Sequence, residues 1–209
     1  MKIHLATGNL HKAWEMQALA DASRLPVQIV APGVMPPVLE DTGTFAGNAR
    51  KKAAALKAAL AAGSWVLADD SGLCVDALDG APGVESAYYA GPQGDGVANL
   101  QKLTEVMQHV PDGQRGAHFV CVLVLLGPDG LERVFEGRCE GTLCRKPAGD
   151  FGFGYDPLFV PEGCTTTYAG LSDAAKNKIS HRGGAWLKLV EWLESTRRDP
   201  AVSGAGLGL

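Results

Sequence analysis

Two adjacent carboxylates, Asp69 and Asp70 within residues 67–72 (LADDSG), form the strongest chemical signal in this sequence. They directly follow an apolar run that predicts a strand from Trp65 to Ala68. Carboxylates at the end of a buried strand are costly without a partner, and ligands of open α/β sheets bind where strands end. Mg²⁺ takes one or two carboxylates together with substrate phosphates. We interpret the pair as a candidate magnesium site, with an Asx turn as the alternative, and either carboxylate can be the one that faces a ligand.

A glycine-containing loop near the N-terminus has the composition of a phosphate-binding turn. It lies between a predicted strand, Ile3 to Ala6, and a predicted helix, His11 to Ala22. Glycine lets backbone N–H groups approach a phosphate, the helix N-terminus favours the anion, and a lysine adds positive charge. An ordinary turn with an asparagine cap would use the same residues. The loop consists of Thr7, Gly8, Asn9, Leu10, His11 and Lys12.

An alanine-rich helix, predicted from Thr44 to Ala62, carries a second cation that could meet a phosphate. Asn48 and Lys52 are separated by one helical turn, so they lie on the same face of this helix. Glu40 lies in the loop that precedes the helix. The carboxylate and the lysine could hold a metal ion and a phosphate respectively, although a solvated amphipathic helix explains the same pattern.

Two segments in the C-terminal half could recognise a planar base: residues 151–157 (FGFGYDP) and 180–183 (SHRG). The glycines free the backbone to shape a slot, and the ring of Phe153 can stack on a base. Arg182 presents forked donors that suit a keto group or a phosphate. Core packing of the aromatic rings and a structural role for His181 are the alternatives. A phosphate loop, carboxylates, cations and an aromatic slot in one chain are together what a nucleoside triphosphate hydrolase needs.

The elements that would position these residues alternate between strands and helices. The strand–helix start, completed by a short strand from Val27 to Val30, predicts an α/β fold with some parallel pairing. Apolar runs at 117–126 and 131–143, separated by a GPDG turn, predict an antiparallel hairpin. Further helices are predicted at 97–109 and 184–194, and the small residues of 199–209 predict a flexible C-terminal tail.

Composition and charge limit the class of protein. The 209 residues suffice for one large domain or two closely packed lobes, and 46% hydrophobic with 20% charged residues is typical of a globular protein. A net charge of −4 gives no support for a nucleic-acid binder. Five cysteines without a C-x-x-C pair predict reduced thiols in a reducing compartment. We find neither a signal peptide nor an apolar run of about 18 residues, so we expect a cytoplasmic protein that does not span a membrane.

Six motifs, in order along the chain, resemble those of the inosine triphosphate pyrophosphatase family. They are ATGN-x-x-K, F-x-x-NA-x-x-KA, ADDSGL, GAPG, FGYDP and K-x-x-x-SHRG, and the match runs from Leu5 to about Leu193. The resemblance implies a mixed α/β fold with a long curved central mixed sheet flanked by helices, and two lobes with the active-site cleft between them. It also implies a single pyrophosphatase domain over residues 1–198 and a homodimer.

The activity that the resemblance implies is hydrolysis of ITP, dITP and XTP to the nucleoside monophosphate and pyrophosphate, with Mg²⁺ as cofactor. Water would attack the α-phosphorus, Asp70 would accept its proton, and Glu40 and Asp70 would hold the magnesium ion. Residues 7–12 would bind the triphosphate together with Lys52 and Ser71. The residues implied for the base and sugar are Phe153, Gly154, Tyr155, Asp156, Lys176, His181 and Arg182.

Base selection would depend on the 6-position of the purine, because stacking does not distinguish one base from another. A donor from Lys176, His181 or Arg182 would pair with a 6-keto oxygen and leave a 6-amino group unpaired. Guanine also has a 6-keto group, and no residue of the sequence explains how GTP would be rejected.

The chain departs from the family pattern at Gly47, where relatives usually have glutamate. Glutamate three residues after Thr44 would complete a capping box, so we expect the helix start to fray and Gly47→Glu to raise stability. Two alternatives to the implied function are a pyrophosphatase for other modified nucleotides and a catalytically silent nucleotide-binding protein. The retained acidic residues argue against a silent protein, and the net charge argues against an RNA-binding module.

Overall fold

A computed structural model describes residues 1–23 and 25–198 of the chain. The predicted tail, residues 199–209, lies outside the described residues. The strands are β1 (Lys2–Ala6), β2 (Gln28–Val30), β3 (Trp65–Val75), β4 (Gly116–Leu126), β5 (Glu132–Leu143) and β6 (Phe159–Pro161). The helices are α1 (Leu10–Ala22), α2 (Phe45–Ala58), α3 (Gly96–Val106), α4 (Asp173–Ile179) and α5 (His181–Arg198).

The strands form a mixed sheet in the order β2–β1–β3–β4–β5–β6. β1 pairs in parallel with both β2 and β3, whereas β5 and β6 pair antiparallel. β4 and β5 are neighbours joined by residues 127–131 alone, a connection too short for a parallel crossover, so they form the predicted antiparallel hairpin. The predicted mixed α/β fold is confirmed.

The prediction that β3 ends at Ala68 was wrong, because the strand continues through both aspartates to Val75. Only the first part of β3 pairs with β1, in a register that joins Ile3 to Trp65 and Ala6 to Ala68. β3 then continues beside β4, its other neighbour in the sheet. The aspartates therefore lie within a strand, but directly beyond the carboxyl end of the parallel β1–β3 pairing.

The helix boundaries differ from the prediction in both directions. α2 ends at Ala58 instead of Ala62, because the chain turns at Gly63 (φ +85°) to enter β3. α4 was not predicted, since seven residues are too few for a clear apolar period. α5 starts three residues earlier than predicted and includes both glycines near its start. A Cβ atom at Gly184 would lie 3.8 Å from the Cα atom of Gly137 on β5.

Contacts divide the chain into two compact units, each with its own hydrophobic core. The first contains residues 1–70, 121–137 and the part of the chain described from 182 onward, and the second contains 71–120 and 138–181. The core of the first unit includes Ile3, Leu5, Met16, Leu67, Leu123, Trp186 and Leu189. The core of the second unit includes Leu73, Leu103, Phe119, Phe159 and Tyr168.

In the described ranges, no helix has the length and apolarity needed to cross a membrane. The five cysteine thiols are free.

Candidate active site

Glu40, Lys52 and Asp70 meet in the first unit and are called the Asp70 cluster below. The Lys52 ammonium lies 2.6 Å from Asp70 Oδ1 and 2.8 Å from Glu40 Oε2. Lys52 of α2 thus connects β3, which carries Asp70, with the loop that carries Glu40. The other oxygen of Asp70, Oδ2, is buried and has no hydrogen-bond partner within the described part of the chain. The cluster therefore pairs one cation with two carboxylates and leaves a buried acceptor unused.

The two carboxyl groups of this cluster differ in proton affinity. Burial raises the pKa of Asp70 to about 6, and the neighbouring Lys52 and Lys12 only partly oppose this effect. Burial also acts to raise the pKa of Glu40, but the hydrogen bond and charge of Lys52 outweigh burial and hold that pKa below its usual value. Asp70 can therefore take up a proton near neutral pH, which is the property that general-base catalysis requires.

Asp69 lies in a second group of side chains of the same unit, the Asp69 cluster, with a different role. Its carboxylate accepts hydrogen bonds from Lys12, from Arg182 Nε (3.0 Å) and from the Cys121 thiol (3.0 Å). Arg182 also donates to Glu15 on α1. Burial acts to raise the pKa of Asp69, but Arg182 and Lys12 hold it well below the usual value. Asp69 therefore stays ionised and connects α1, β3, β4 and α5.

Alternation along β3 explains why neighbouring aspartates have such different partners. Successive side chains of a strand point to opposite faces of the sheet. Asp69 accordingly faces α1 and α5, whereas Asp70 faces Lys52 of α2. Cys121 and Glu15 were missed by sequence analysis, because a thiol in an apolar strand and a glutamate on a helix carry no signal of their own.

The predicted phosphate loop connects β1 to α1. Asn9 caps α1, since its Oδ1 accepts from the N–H groups of His11 (2.9 Å) and Lys12 (3.3 Å), and Thr7 Oγ1 accepts from Asn9 N–H (3.1 Å). A Cβ atom built on Gly8 would have no neighbour within 4 Å, so the space beside this glycine is open. The loop thus presents a helix N-terminus with an exposed backbone and with Lys12 directed at Asp69.

Within the second unit, the structure brings Phe153, Asp156 and Lys176 together. The Lys176 ammonium lies 2.6 Å from Asp156 Oδ2 and 5.0 Å from the centre of the Phe153 ring. Asp156 Oδ2 also accepts from Phe153 N–H (2.9 Å). Gly152 is required here, because a Cβ atom at this position would lie 2.2 Å from the same oxygen. A buried cation, a carboxylate and an aromatic ring thus share one small region of this unit.

The remaining predicted residues of the second unit have other contacts than Phe153, Asp156 and Lys176. Tyr155 is buried in the core and its hydroxyl donates to the Ser86 carbonyl (2.8 Å), so a ligand contact at this position would use the backbone. Gly154 adopts φ +60° with open space beside it. His181 is buried and stacks on Phe119, with ring centres 4.7 Å apart. Ser71 continues β3 after Asp70.

The expected fraying of α2 at Gly47 stays a prediction, although the structure shows a cap at this helix start. Thr44 caps the helix, since its hydroxyl oxygen accepts from Gly47 N–H (3.1 Å). A Cβ atom at Gly47 would lie 2.3 Å from Thr42 Oγ1 and 2.6 Å from Thr42 Cβ. The space that a glutamate side chain would need is therefore occupied by Thr42, and the stabilising effect expected of Gly47→Glu is not supported.

The residues described contain no group of three or more His, Cys, Asp or Glu side chains placed to hold a metal ion. A magnesium ion bound to a nucleotide needs fewer, because phosphates and water supply the remaining oxygens. Asp70 and Glu40 match this requirement. Both supply carboxylate oxygens beside the same lysine, Lys52, and Asp70 Oδ2 is buried with no partner among the residues described. The donor set therefore fits Mg²⁺.

Comparison with known proteins places the chain in a family. Residues 3–192 match the model of the Ham1 family. The chain is 61% identical over 199 residues to the dITP/XTP pyrophosphatase of Opitutus terrae, covering 92% of this chain and 98% of the relative. It is 50% identical over 192 residues to the dITP/XTP pyrophosphatase of Streptomyces coelicolor, covering 90% and 95%.

Solved structures agree with the sequence comparison. The Ham1 protein of Staphylococcus aureus superposes with a TM-score of 0.79 at 36% identity, covering 93% of this chain and 99% of that one. The Ham1 protein of Coxiella burnetii gives a TM-score of 0.80 at 36% identity with the same coverage. The chain belongs to the Ham1 family, and the family resemblance inferred from its motifs is confirmed.

Proposed function

We propose that this protein hydrolyses deaminated purine nucleoside triphosphates (dITP, XTP and ITP) to the nucleoside monophosphate and pyrophosphate. The observation that carries the proposal is the Asp70 cluster: a buried carboxyl group that keeps one oxygen without a partner among the described residues, beside a half-buried lysine and a second carboxylate. The names of the two relatives, both dITP/XTP pyrophosphatases, support the substrate class.

In the proposed reaction, water attacks the α-phosphorus. A new bond forms between the water oxygen and the α-phosphorus, the bond from the α-phosphorus to the bridging oxygen breaks, and pyrophosphate leaves with the electron pair. Asp70 accepts the proton of the attacking water, a step for which its raised pKa is suited. Asp69 is excluded from this step in the proposal, because its two oxygens already accept from three donors.

Cations of the first unit would bind the triphosphate. Lys52 and Lys12 supply positive charge beside the two aspartates, and the N-terminus of α1 adds backbone N–H groups. Asp70 and Glu40 would hold Mg²⁺, which when bound neutralises phosphate charge and favours in-line displacement. Ser71, next to Asp70 along β3, would contribute a hydroxyl.

The second unit would recognise the base. Phe153 offers a ring for stacking, and the Lys176 ammonium offers a donor for a 6-keto oxygen. Of the three candidate donors we favour Lys176, because its ammonium lies beside the Phe153 ring, whereas two carboxylates hold Arg182 and His181 stacks on Phe119. An adenine would present a 6-amino group to this ammonium and leave both donors unpaired. Gly154, Tyr155, Asp156 and His181 complete the proposed base and sugar contacts.

Product analysis tests the proposed function. The protein is incubated with Mg²⁺ and dITP, XTP, ITP, GTP, ATP or dTTP, and the products are separated. We expect monophosphate and pyrophosphate from dITP, XTP and ITP; orthophosphate with a diphosphate would contradict α-phosphate cleavage. Comparable rates with dTTP would favour a broader pyrophosphatase, and binding without turnover would favour a silent nucleotide-binding protein.

Matched variants connect the activity to the site. Asp70→Asn should abolish most hydrolysis of dITP. Asp129→Asn is a suitable control, because Asp129 lies exposed in a turn at φ +53°, a conformation that asparagine also tolerates. If Asp70→Asn and Asp129→Asn hydrolysed dITP at equal rates, Asp70 would not be the base. We also propose that the enzyme acts in the cytoplasm as a homodimer, which a native mass of twice the 21.8 kDa chain would support.

A further inference from the structure

The loop that carries Glu40 is attached to α2 at a second point. Asn48, which is buried on α2, accepts hydrogen bonds at Oδ1 from Thr42 N–H (3.2 Å) and from Thr42 Oγ1 (2.7 Å). Lys52, four residues further along the helix, holds Glu40 at 2.8 Å. Asp41, between Glu40 and Thr42, pairs with Lys51 at the exposed surface, so three consecutive positions of the loop contact α2.

The spacing of these two attachments matches the geometry of the backbone. Four helical residues from Asn48 to Lys52 span about 6 Å at roughly 1.5 Å each. Two extended residues from Glu40 to Thr42 span about 6.6 Å at roughly 3.3 Å each. These spans are similar, so a loop that runs antiparallel to α2 can make both contacts, and fixing Thr42 at Asn48 limits where Glu40 can lie beside Lys52.

Gly47 provides the space for this arrangement. A side chain at this position would begin 2.3 Å from Thr42 Oγ1 and 2.6 Å from Thr42 Cβ. Thr44 caps the helix by accepting from Gly47 N–H, and Thr42 Oγ1 lies 3.1 Å from the carbonyl oxygen of Thr44. Thr42 thus connects the loop both to the cap residue and to Asn48 in the first turn of α2, and glycine at position 47 permits this contact.

We propose that Thr42, Gly47 and Asn48 form a positioning device for Glu40, called the Thr42 anchor, and so determine how the Asp70 cluster binds a divalent cation. The proposal rests on the proposed function for its cation and substrate. The anchor residues do not contact the reacting atoms; they act through Glu40.

The experiment compares Thr42→Val, which keeps the shape but removes the hydroxyl, with Thr42→Ser, which keeps the hydroxyl. Thr42 is exposed, so both variants should fold. We expect Thr42→Val to raise the Mg²⁺ concentration for half-maximal dITP hydrolysis about 3- to 10-fold, the effect of one hydrogen bond, and to leave kcat at saturating Mg²⁺ near that of the parent. Thr42→Ser should keep the parent's Mg²⁺ concentration for half-maximal hydrolysis. Gly47→Ala should raise this concentration as Thr42→Val does.

A second readout is independent of catalysis. Backbone amide exchange over residues 40–44, measured without metal or nucleotide, should be about 3- to 10-fold faster in Thr42→Val than in the parent or in Thr42→Ser. Parent exchange together with a parent Mg²⁺ dependence in Thr42→Val would overturn the proposal. A lower kcat with unchanged Mg²⁺ dependence would also overturn it, because it would indicate a general structural defect. If the parent failed to hydrolyse dITP, the proposed function would fail, while the exchange rates would still test the anchor.

Discussion

Replacing Asp69 by asparagine removes the carboxylate that Lys12 and Arg182 share. The substitution keeps the size of the side chain and one acceptor oxygen, but turns the other oxygen into an amide donor. Oδ2 accepts from both Arg182 Nε and the Cys121 thiol, and Oδ1 accepts from Lys12. Whichever way the amide is oriented, its NH₂ group meets at least one other donor, and the charge of a buried arginine loses one of its two carboxylate partners.

The expected loss of stability follows from the burial of these groups. Removing one partner of a buried ion pair costs about 3–5 kcal/mol, since a charge is left in a low-dielectric environment. Arg182 keeps Glu15 as a second partner, so we expect the lower end, about 3 kcal/mol. For a chain of this size the midpoint of thermal unfolding should fall by roughly 6–12 °C.

Denaturant unfolding at pH 7 measures this loss, with Glu15→Gln as the matched control. Glu15→Gln makes the same chemical change on the other side of Arg182, but the side chain of Glu15 is 17% exposed and that of Asp69 1%. The loss for Glu15→Gln should therefore be about 1 kcal/mol. Equal losses in the two variants, or a loss below about 1 kcal/mol in Asp69→Asn, would refute the assignment of Asp69 as the buried partner of both cations.

The pH dependence of this difference has a defined sign. The pKa of Asp69 is well below its usual value in the folded protein, so the folded state favours the ionised carboxylate. Its stabilisation is fully present above the unfolded pKa of about 3.9 and is lost as pH falls through the folded pKa. The difference between parent and Asp69→Asn should therefore be constant from pH 7 to about pH 5 and shrink below about pH 4.

Three further predictions concern catalysis, base selection and the start of α2. Burial raises the pKa of Asp70 to about 6 in the metal-free protein, so metal-free Asp70→Asn should be more stable than the parent by about 1–3 kcal/mol at pH 8, where the parent carries a costly buried charge. With Mg²⁺ present, kcat/KM for dITP should fall at acidic pH as Asp70 becomes protonated, at a pH below about 6 because a bound cation favours the ionised carboxylate. A profile without an acidic limb would contradict the role of Asp70. Lys176→Gln should lower kcat/KM for dITP about 10- to 100-fold with little effect on kcat/KM for dATP. Lys178→Gln, exposed on the same helix, is the control and should leave both values unchanged. An equal loss for both nucleotides in Lys176→Gln would contradict a role of Lys176 in base selection. Gly47→Glu should lower the free energy of unfolding by about 1 kcal/mol, because the gain in helix propensity is smaller than the loss of the Thr42 hydrogen bonds, and a rise in the melting temperature would contradict the packing at this position.

Local patterns predicted most of the fold. Apolar runs and glycine turns located β1, α1, β4 and β5 within a residue or two of their observed ends. The errors arose where tertiary contacts override local preference. β3 tolerates two charged residues because both aspartates find cationic partners.

The sequence predicted which residues belong to the candidate site, but not which of their side chains contact each other. Spacing on α2 placed Asn48 and Lys52 on one face, and the structure shows both in contact with the preceding loop. Spacing could not show that Thr42 fills the position beside Gly47, because that contact depends on the path of an irregular loop. The roles of the site residues in binding and catalysis stay predictions.

The assignment of the two aspartates depends on information that adjacent sequence positions do not contain. Both are nearly inaccessible to solvent, and they differ only in the partners found on opposite faces of β3. On one face, two cations and a thiol satisfy Asp69 and keep it ionised, so it cannot accept a proton near neutral pH. On the other face, one lysine is shared by Asp70 and Glu40, and Asp70 keeps a buried oxygen without a partner among the described residues. A general base needs both a free lone pair and a pKa near the working pH, and these two conditions together favour Asp70.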